Sequence, residues 1–370
     1  MIGLTKPIRV AQVLGVMNGG GIEQVVMNYY RHIDRSRVQF DFLVGEDSTM
    51  IPREEIGSLG GRVYMTSSRS NPIAYSSGLE HIFREGGWHI VHAHMNALSC
   101  FPLRAAKRAE VPVRIAHSHS TSGKGEHAKN IVKAVLKTQA NRYPTHLMAC
   151  STHAGNWLFG KGKSFTVLPN AIDIQSFLSN RKIRTEVRSE LGLGNDQFVV
   201  GHIGRFAIQK NHAFLLNVFA KVLAYEPDSV LILVGDGPLI EKVREEASSL
   251  GIAESVRFLG LRADTSRLYQ AFDVFCLPSL YEGLPVVSIE SQAAGTPILS
   301  STEVTREAAV TPLMEFETLS SGCDEWAKHL ISMRELCINE NEESKLTEFD
   351  INYNAVKLLD FYESVSLNQG

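Results

Sequence analysis

Apolar residues come in short runs bounded by glycine or polar residues, and these runs alternate with longer amphipathic stretches. The run at 8–14 leads into Gly19-Gly20-Gly21 and then a mixed segment at 22–30, which predicts a strand, a glycine loop and a helix. Further short runs at 40–44, 63–64, 89–93, 111–116, 146–149 and 165–168 continue as strands. Strand-then-helix spacing repeated in this way predicts an α/β fold with a parallel sheet covered on both faces.

The pattern restarts after Pro169-Asn170. Strands are expected at 197–203, 230–234, 256–259, 274–277 and 297–299, with helices at 212–223, 239–250, 264–271 and 287–294. Two successive α/β modules put the boundary near 170–190, giving domains at 1–172 and 173–350. Residues 351–370 add a terminal helix, at 351–362, and a tail. The junction, with Ser176, Asn180, Arg181, Lys182 and Arg184, reads as an exposed polar connection. A chain of 370 residues favours such a division, because single cores stop growing at roughly 250–300 residues.

Composition narrows the class. With 44% apolar and 21% charged residues the chain suits a globular protein, and a net charge of -3 argues against nucleic acid as its main partner. Cys100, Cys150, Cys276, Cys323 and Cys337 are scattered and lack metal-ligand spacing, which predicts a reducing, cytoplasmic setting. No run reaches the roughly 20 apolar residues that span a bilayer, so membrane association is expected to be peripheral.

Candidate chemistry gathers at predicted strand ends. Gly19-Gly20-Gly21 before a helix supports two readings, a phosphate cradle or a plain tight turn, and it lacks the full dinucleotide fingerprint. Gly204-Arg205 ends one strand, Lys210 follows, and Gly235-Asp236-Gly237 ends another; an Arg fork and a Lys point charge beside glycine loops suit a diphosphate. Glu282 follows an apolar strand, and Glu290 lies within an apolar helix. A carboxylate so placed is costly unless it meets donors such as sugar or ribose hydroxyls; the plainer reading of Glu290 is a helix-surface residue.

These segments resemble the GT-B family of retaining glycosyltransferases known as glycosyltransferase family 4, particularly bacterial polysaccharide-type members. The resemblance runs from the first strand to about Pro312. It rests on Glu282-x7-Glu290 followed by Ala294-Gly295-Thr296-Pro297, on Gly204-Arg205-Phe206 through Gln209-Lys210-Asn211-His212, on Val234-Gly235-Asp236-Gly237-Pro238, and on Gly20-Gly21-Ile22-Glu23. It implies two Rossmann-like domains facing each other across a deep cleft, with the acceptor bound by the first and the nucleotide-sugar donor by the second. Arg205 and Lys210 would then bind the donor diphosphate, Glu282 the transferred sugar and Glu290 the ribose. Gly204, Gly235, Gly237, Gly283 and Leu284 would line the donor site, and backbone around Phe258 and Leu259 would meet the base. Gly20 and Gly21 would close on the diphosphate or the acceptor. The family's functional histidine corresponds to His117 or His119, with His119 preferred, while Glu23 and His94 would line the acceptor site. His92, in an alternating strand, reads as structural. The chain departs from many relatives at Ser300-Ser301-Thr302-Glu303 and Thr305-Arg306-Glu307, where a glycine pair and an acidic residue are usual.

The resemblance further implies same-side transfer from a nucleoside-diphosphate sugar, UDP-sugar favoured, with no cofactor and no essential divalent metal. A polyprenyl-diphosphate-linked glycan acceptor in cell-surface polysaccharide assembly follows from it alone. Lys129, Lys133 and Lys137 at i,i+4 spacing, with Lys124 and Arg142, mark either an anionic-membrane contact or a solvated helix face. The alternatives are a GT-B transferase with a small soluble acceptor and a nucleotide-sugar-binding regulatory protein that has lost turnover.

Overall fold

The computed structural model describes residues 6–119, 136–336 and 344–367. It divides into two compact units, one formed by residues up to Ile172 together with those from Glu348 onward, the other by Asp173–Thr347.

The first unit is built on seven strands: β1 (Ile8–Gly15), β2 (Val38–Gly45), β3 (Arg62–Thr66), β4 (Ile90–Ala93), β5 (Val113–Ser118), β6 (His146–Ala149) and β7 (Thr166–Val167). Their order is β3-β2-β1-β4-β5-β6-β7, and every pairing is parallel. The second unit has β8 (Phe198–Ile203), β9 (Ser229–Val234), β10 (Val256–Phe258), β11 (Val274–Leu277), β12 (Ile298–Ser301) and β13 (Met314–Glu317), ordered β10-β9-β8-β11-β12-β13 and again all parallel. Strand order reverses between β1 and β4 and again between β8 and β11. In doubly wound sheets such a reversal opens a crevice at the C-terminal strand ends, where ligands bind.

The strands expected from apolar runs are present with ends displaced by a residue or two, and three differences have physical causes. β13 is absent from the sequence expectation because its core-facing signal is thin: only Met314 of its four residues is buried. The junction is exposed at Ser176, Asn180, Arg181 and Lys182, as expected, and it is helical. It holds a short helix, Ile174–Phe177, and a longer one, Arg181–Glu190, whose N-terminus is capped by the Asn180 side chain accepting from the Lys182 and Ile183 amides. The terminal helix runs on to Leu367. That helix starts at a bridge between Ile172 and Asp350, with the Ile351 amide donating to the Ile172 carbonyl at 2.8 Å, and it packs beside the helix Gly21–His32. Among the described residues no helix is long and apolar enough to cross a membrane. Cys100, Cys150, Cys276 and Cys323 are free thiols; Cys337 lies outside the described residues.

In the second unit Asp273 ties the helix Arg181–Glu190 to the sheet. Its carboxylate accepts from the Val199 amide at 2.7 Å, from Arg184 Nη2 at 2.5 Å and from Arg188 Nη1 at 3.3 Å. Arg188 is only 2% exposed, and it also donates to the carbonyls of Gly194, Gln197 and Ala271. Removing one partner of a buried pair leaves the other charge uncompensated, at a cost of about 3–5 kcal/mol. Asp273→Ala is therefore expected to destabilise the protein by about that amount, read as a lower urea midpoint for this unit; an unchanged midpoint would show that the carbonyls alone neutralise Arg188.

Candidate active site

Beside the β8/β11 reversal the loops after β8 and β9 abut. The Gly204 amide donates to the Val234 carbonyl at 2.9 Å, and the Phe206 amide to the Asp236 carbonyl at 3.0 Å. A Cβ on Gly235, whose φ is 135°, would lie 2.2 Å from the Gly204 carbonyl oxygen, and one on Gly237 would lie 2.5 Å from that of Phe206. Glycine is needed at both positions for backbone to approach backbone.

The loop after β8 is also laced to the loop after β11. Leu280 N donates to the Gln209 carbonyl at 2.8 Å, Gln209 Nε2 to the Tyr281 carbonyl at 3.0 Å, and Asn211 Nδ2 to the Pro278 carbonyl at 3.2 Å. Glu282 sits inside this lacing, 8% exposed. Its Oε1 accepts from Lys210 Nζ at 2.8 Å and Ser279 Oγ at 3.0 Å, and its Oε2 from Gln209 Nε2 at 3.0 Å. Three donors fix this carboxylate in place. Arg205, next to Gly204, is exposed, and its guanidinium makes no hydrogen bond or ion pair among the described residues.

Gly283 and Leu284 are buried and lead into the helix Val286–Ala293, which carries Glu290 half-buried. Tyr269 Oη donates to Glu290 Oε2 at 2.9 Å. Burial pushes the Glu290 carboxyl up to about 7, against the opposing pull of the Tyr269 hydrogen bond and the Lys210 charge. Phe258 is half-buried, stacked on Phe206 at 6.0 Å and covered by the Arg244 guanidinium at 4.2 Å, while the Leu259 amide donates to the Leu233 carbonyl. Behind Lys210 lie His202 and His212, which sequence reasoning passed over. His212 stacks on Phe206 at 4.3 Å, and His202 Nδ1 is 2.8 Å from the Cys276 carbonyl. Burial holds both imidazoles neutral, His212 at about 4.

In the first unit Gln12 lies on β1, His92 on β4 and His117 on β5, with His94 and His119 two residues further along the chain, each just past its strand's end. Period-2 alternation puts them on one face. They form a buried polar layer with Asn170 and with Tyr362 from the terminal helix. His92 Nδ1 lies 2.7 Å from Tyr362 Oη and its Nε2 3.1 Å from His117 Nδ1; His94 Nδ1 lies 2.9 Å from His119 Nε2 and its Nε2 2.8 Å from Gln12 Oε1. His119 Nδ1 meets Asn170 Oδ1 at 3.2 Å, and its backbone amide donates to Asn96 Oδ1 at 2.7 Å. Burial lowers all four imidazoles, His119 to about 4. His92 is thus a hydrogen-bonded member of this buried layer. Of the two histidines left open by spacing, His119 is at the strand-end margin beside Asn170, and His117 is interior.

Gly20 and Gly21 open the helix Gly21–His32, and the Glu23 carboxylate accepts from the Gly20 amide at 2.8 Å. The observed partner of Glu23 is therefore its own helix start. Lys124, Lys129 and Lys133 lie outside the described residues; Lys137 rests over the Trp157 ring at 5.1 Å.

Three ring nitrogens, from His92, His94 and His117, lie within 4.8 Å of one another. They bring no carboxylate, they already bond to each other, to Tyr362, Gln12 and His119, and Val25, Val26, Phe40 and Leu168 surround them. A metal ion there would have to break those bonds to reach the ring nitrogens.

Comparison with known proteins decides the family. The model described as glycosyl transferases group 1 matches residues 183–311, and that of the glycosyl transferase 4-like domain matches residues 20–171. The chain is 39% identical over 330 residues to the putative glycosyltransferase EpsF of Bacillus subtilis, covering 86% of each. The chain belongs to the family 4-type glycosyltransferases. It is also 26% identical over 232 residues to the Escherichia coli UDP-Gal:alpha-D-GlcNAc-diphosphoundecaprenol alpha-1,3-galactosyltransferase, covering 60% of this chain and 59% of that one. Among solved structures, Anabaena Alr3699/HepE in complex with UDP-glucose is similar with a TM-score of 0.79 at 19% identity, over 96% of this chain and 99% of that one, which shows the GT-B fold.

In this glycosyltransferase the Gln209, Ser279 and Tyr269 partners were not singled out from sequence, nor were Gln12, Asn170 and Tyr362. Gln12, a polar residue inside the apolar run of β1, carried a usable signal; the other five did not. The raised Glu290 carboxyl gives a pH signature. Below about 4.5 the group is protonated folded or unfolded, and above about 7 it is ionised in both. Between these values the unfolded chain ionises first, so stability is lost as pH rises. Glu290→Gln is expected to gain stability over the parent from pH 4.5 to 8 in thermal melts; a constant difference would place Glu290 in an ordinary aqueous environment.

Proposed function

We propose that the protein is a retaining glycosyltransferase that moves a sugar from a nucleoside-diphosphate sugar, a UDP-sugar, to a lipid-linked glycan in cell-surface polysaccharide assembly. The observation that carries this is Glu282 held by Lys210, Gln209 and Ser279 at the strand ends, with Glu290 and Tyr269 in the same unit. The printed substrates of the Escherichia coli relative, a UDP-sugar and a diphosphoundecaprenol-linked sugar, and the UDP-glucose held by the Anabaena protein support the donor and acceptor classes.

Arg205, free to turn, and Lys210 grip the diphosphate and stabilise the charge that grows on it as the sugar C1–oxygen bond breaks. Glu282, with its oxygens held by three donors, accepts from sugar hydroxyls and is not a covalent nucleophile. A diphosphate oxygen takes the acceptor hydroxyl's proton as the acceptor oxygen bonds C1 on the face the diphosphate leaves. Glu290 as a carboxylate accepts from the ribose hydroxyls, Gly204, Gly235, Gly237, Gly283 and Leu284 offer backbone to the donor, and backbone at Phe258 and Leu259 meets the base. Gly20 and Gly21 close on the diphosphate or the acceptor, and His94 and His119 serve the acceptor. The charge stabilisation assigned to Arg205 and Lys210 replaces a divalent metal. The enzyme acts in the cytoplasm at an anionic membrane surface.

Calorimetry with UDP, GDP, ADP and CMP is expected to show selective binding of UDP, tighter at pH 8 than at pH 6 because ribose hydroxyls need the ionised Glu290. Glu290→Ala is expected to weaken it about 10-fold, the loss of roughly one charge-assisted hydrogen bond. Failure of folded protein to bind any of the four removes the donor assignment. Arg205→Ala is expected to lower turnover about 10²–10³-fold, by analogy with loss of one transition-state donor; undiminished turnover overturns its role. EDTA is expected to leave turnover intact, and loss restored by Mn²⁺ would overturn the metal-free mechanism.

A further inference from the structure

Glu290 presents its two carboxylate oxygens to different surroundings. Oε2 accepts from Tyr269 Oη at 2.9 Å, the one hydrogen bond to this side chain among the described residues. Oε1 has no such partner there, and it stays within reach of solvent. Charge acts on the group from Lys210, which is ion-paired with Glu282 at 2.8 Å. The other elements against the helix Val286–Ala293 add none. The short helix Ile174–Phe177 and β12 hold no ionisable side chain, and Arg267 of the helix Thr265–Tyr269 is turned to Glu190 at 2.6 Å.

Tyr269 is placed by its ring. It is fully buried, with Phe177, Phe272 and Phe275 at centroid distances of 5.9, 5.8 and 5.5 Å, and its carbonyl accepts from Thr296 Oγ1 at 3.0 Å. The ring delivers one hydroxyl to the helix Val286–Ala293, where a single hydrogen has two acceptors. These are Glu290 Oε2 at 2.9 Å and the Val287 carbonyl at 3.2 Å. The contact to Oε2 is the shorter, and an ionised acceptor forms the stronger bond, so a Glu290 carboxylate takes the hydrogen. Once Glu290 is protonated that advantage is gone and the hydrogen falls to Val287. Burial holds the phenol well above its ordinary range, so the donor persists through neutral pH. The bond to Oε2 therefore favours the anion, against the burial that favours the acid.

We propose that Tyr269 is a positioning residue of the nucleotide site: it holds Glu290 as a carboxylate, with Oε2 anchored and Oε1 left to accept from a ribose hydroxyl. Tyr269 acts through Glu290, since its own side chain is closed off from solvent. A phenylalanine at this position would fill the same space and leave the carboxylate without its donor, so the acid form would persist to higher pH. The contact to ribose rests on the transferase reading; the hold of Tyr269 on Glu290 does not.

The test is ¹³C NMR of the full chain labelled at the glutamate carboxyls and the tyrosine Cζ, with Glu290 assigned by its loss in Glu290→Gln. In the parent the Tyr269 Cζ resonance is expected to titrate with the same midpoint as Glu290; a flat line through that range overturns the proposal. In Tyr269→Phe, shown folded by its circular dichroism, the Glu290 midpoint is expected to rise by about one pH unit, the effect of losing one hydrogen bond to a charged group. An unmoved midpoint overturns the proposal. Calorimetry with UDP gives a second readout. Tyr269→Phe is expected to bind about 3-fold more weakly at pH 7, where its carboxylate fraction is smaller, and nearly as well as the parent at pH 8.5. An equal loss at both pH values is a packing defect and overturns the positioning role. A raised midpoint with UDP affinity unchanged at both pH values upholds the hold on Glu290 and overturns the ribose contact alone.

Discussion

Parallel strands buried on both faces allow polar side chains in only two places, at the strand ends and at positions where a whole polar layer can satisfy itself internally. Both units of this protein obey that constraint. In the second, Glu282 sits in the loops after β8 and β11, 8% exposed with a donor on each oxygen, and Asp273 at the start of β11 is paired with Arg184 and Arg188. In the first, the interior of the sheet face carries imidazoles, an amide and a phenol, none of which needs to be charged. The chemistry available to each unit follows from which solution it uses.

The two glutamates show how environment separates identical groups. Glu282 has a lysine, an amide and a hydroxyl donating to its oxygens. Glu290 has one phenol donor and an apolar helix, and burial raises it to about 7. One is ion-paired with Lys210, and the other is raised by burial with a single phenol donor. Two glycines make the arrangement possible, since any Cβ at Gly235 or Gly237 would strike the backbone of the loop that carries Arg205.

The first unit depends on its last helix in a way chain order conceals. The helix Ile351–Leu367 starts at Ile172, pairs Glu363 with Arg37, and inserts Tyr362 between Gln12 and His92. Tyr362 also meets Phe40 edge-on at 6.0 Å, so the residue that links the histidines is held by the core it completes.

The sequence by itself determined the fold class, because alternation of short apolar runs with amphipathic segments admits few structures other than covered parallel sheets. It also carried the resemblance to the transferase family, in Glu282-x7-Glu290 and the Gly204–Lys210 segment, because strand-end loops are continuous stretches that local sequence encodes. Thin or capped elements escaped it. β13 has one buried residue, and the helix Arg181–Glu190 is announced mainly by its Asn180 cap. Tertiary structure alone decided which side chains meet across long separations: Lys210 with Glu282, Tyr269 with Glu290, Tyr362 with His92. Periodicity places a residue on a face, whereas a hydrogen-bond partner 270 residues away is set by how helices pack on the sheet. For the same reason spacing left His117 and His119 equivalent, and only burial depth and the Asn170 contact told them apart.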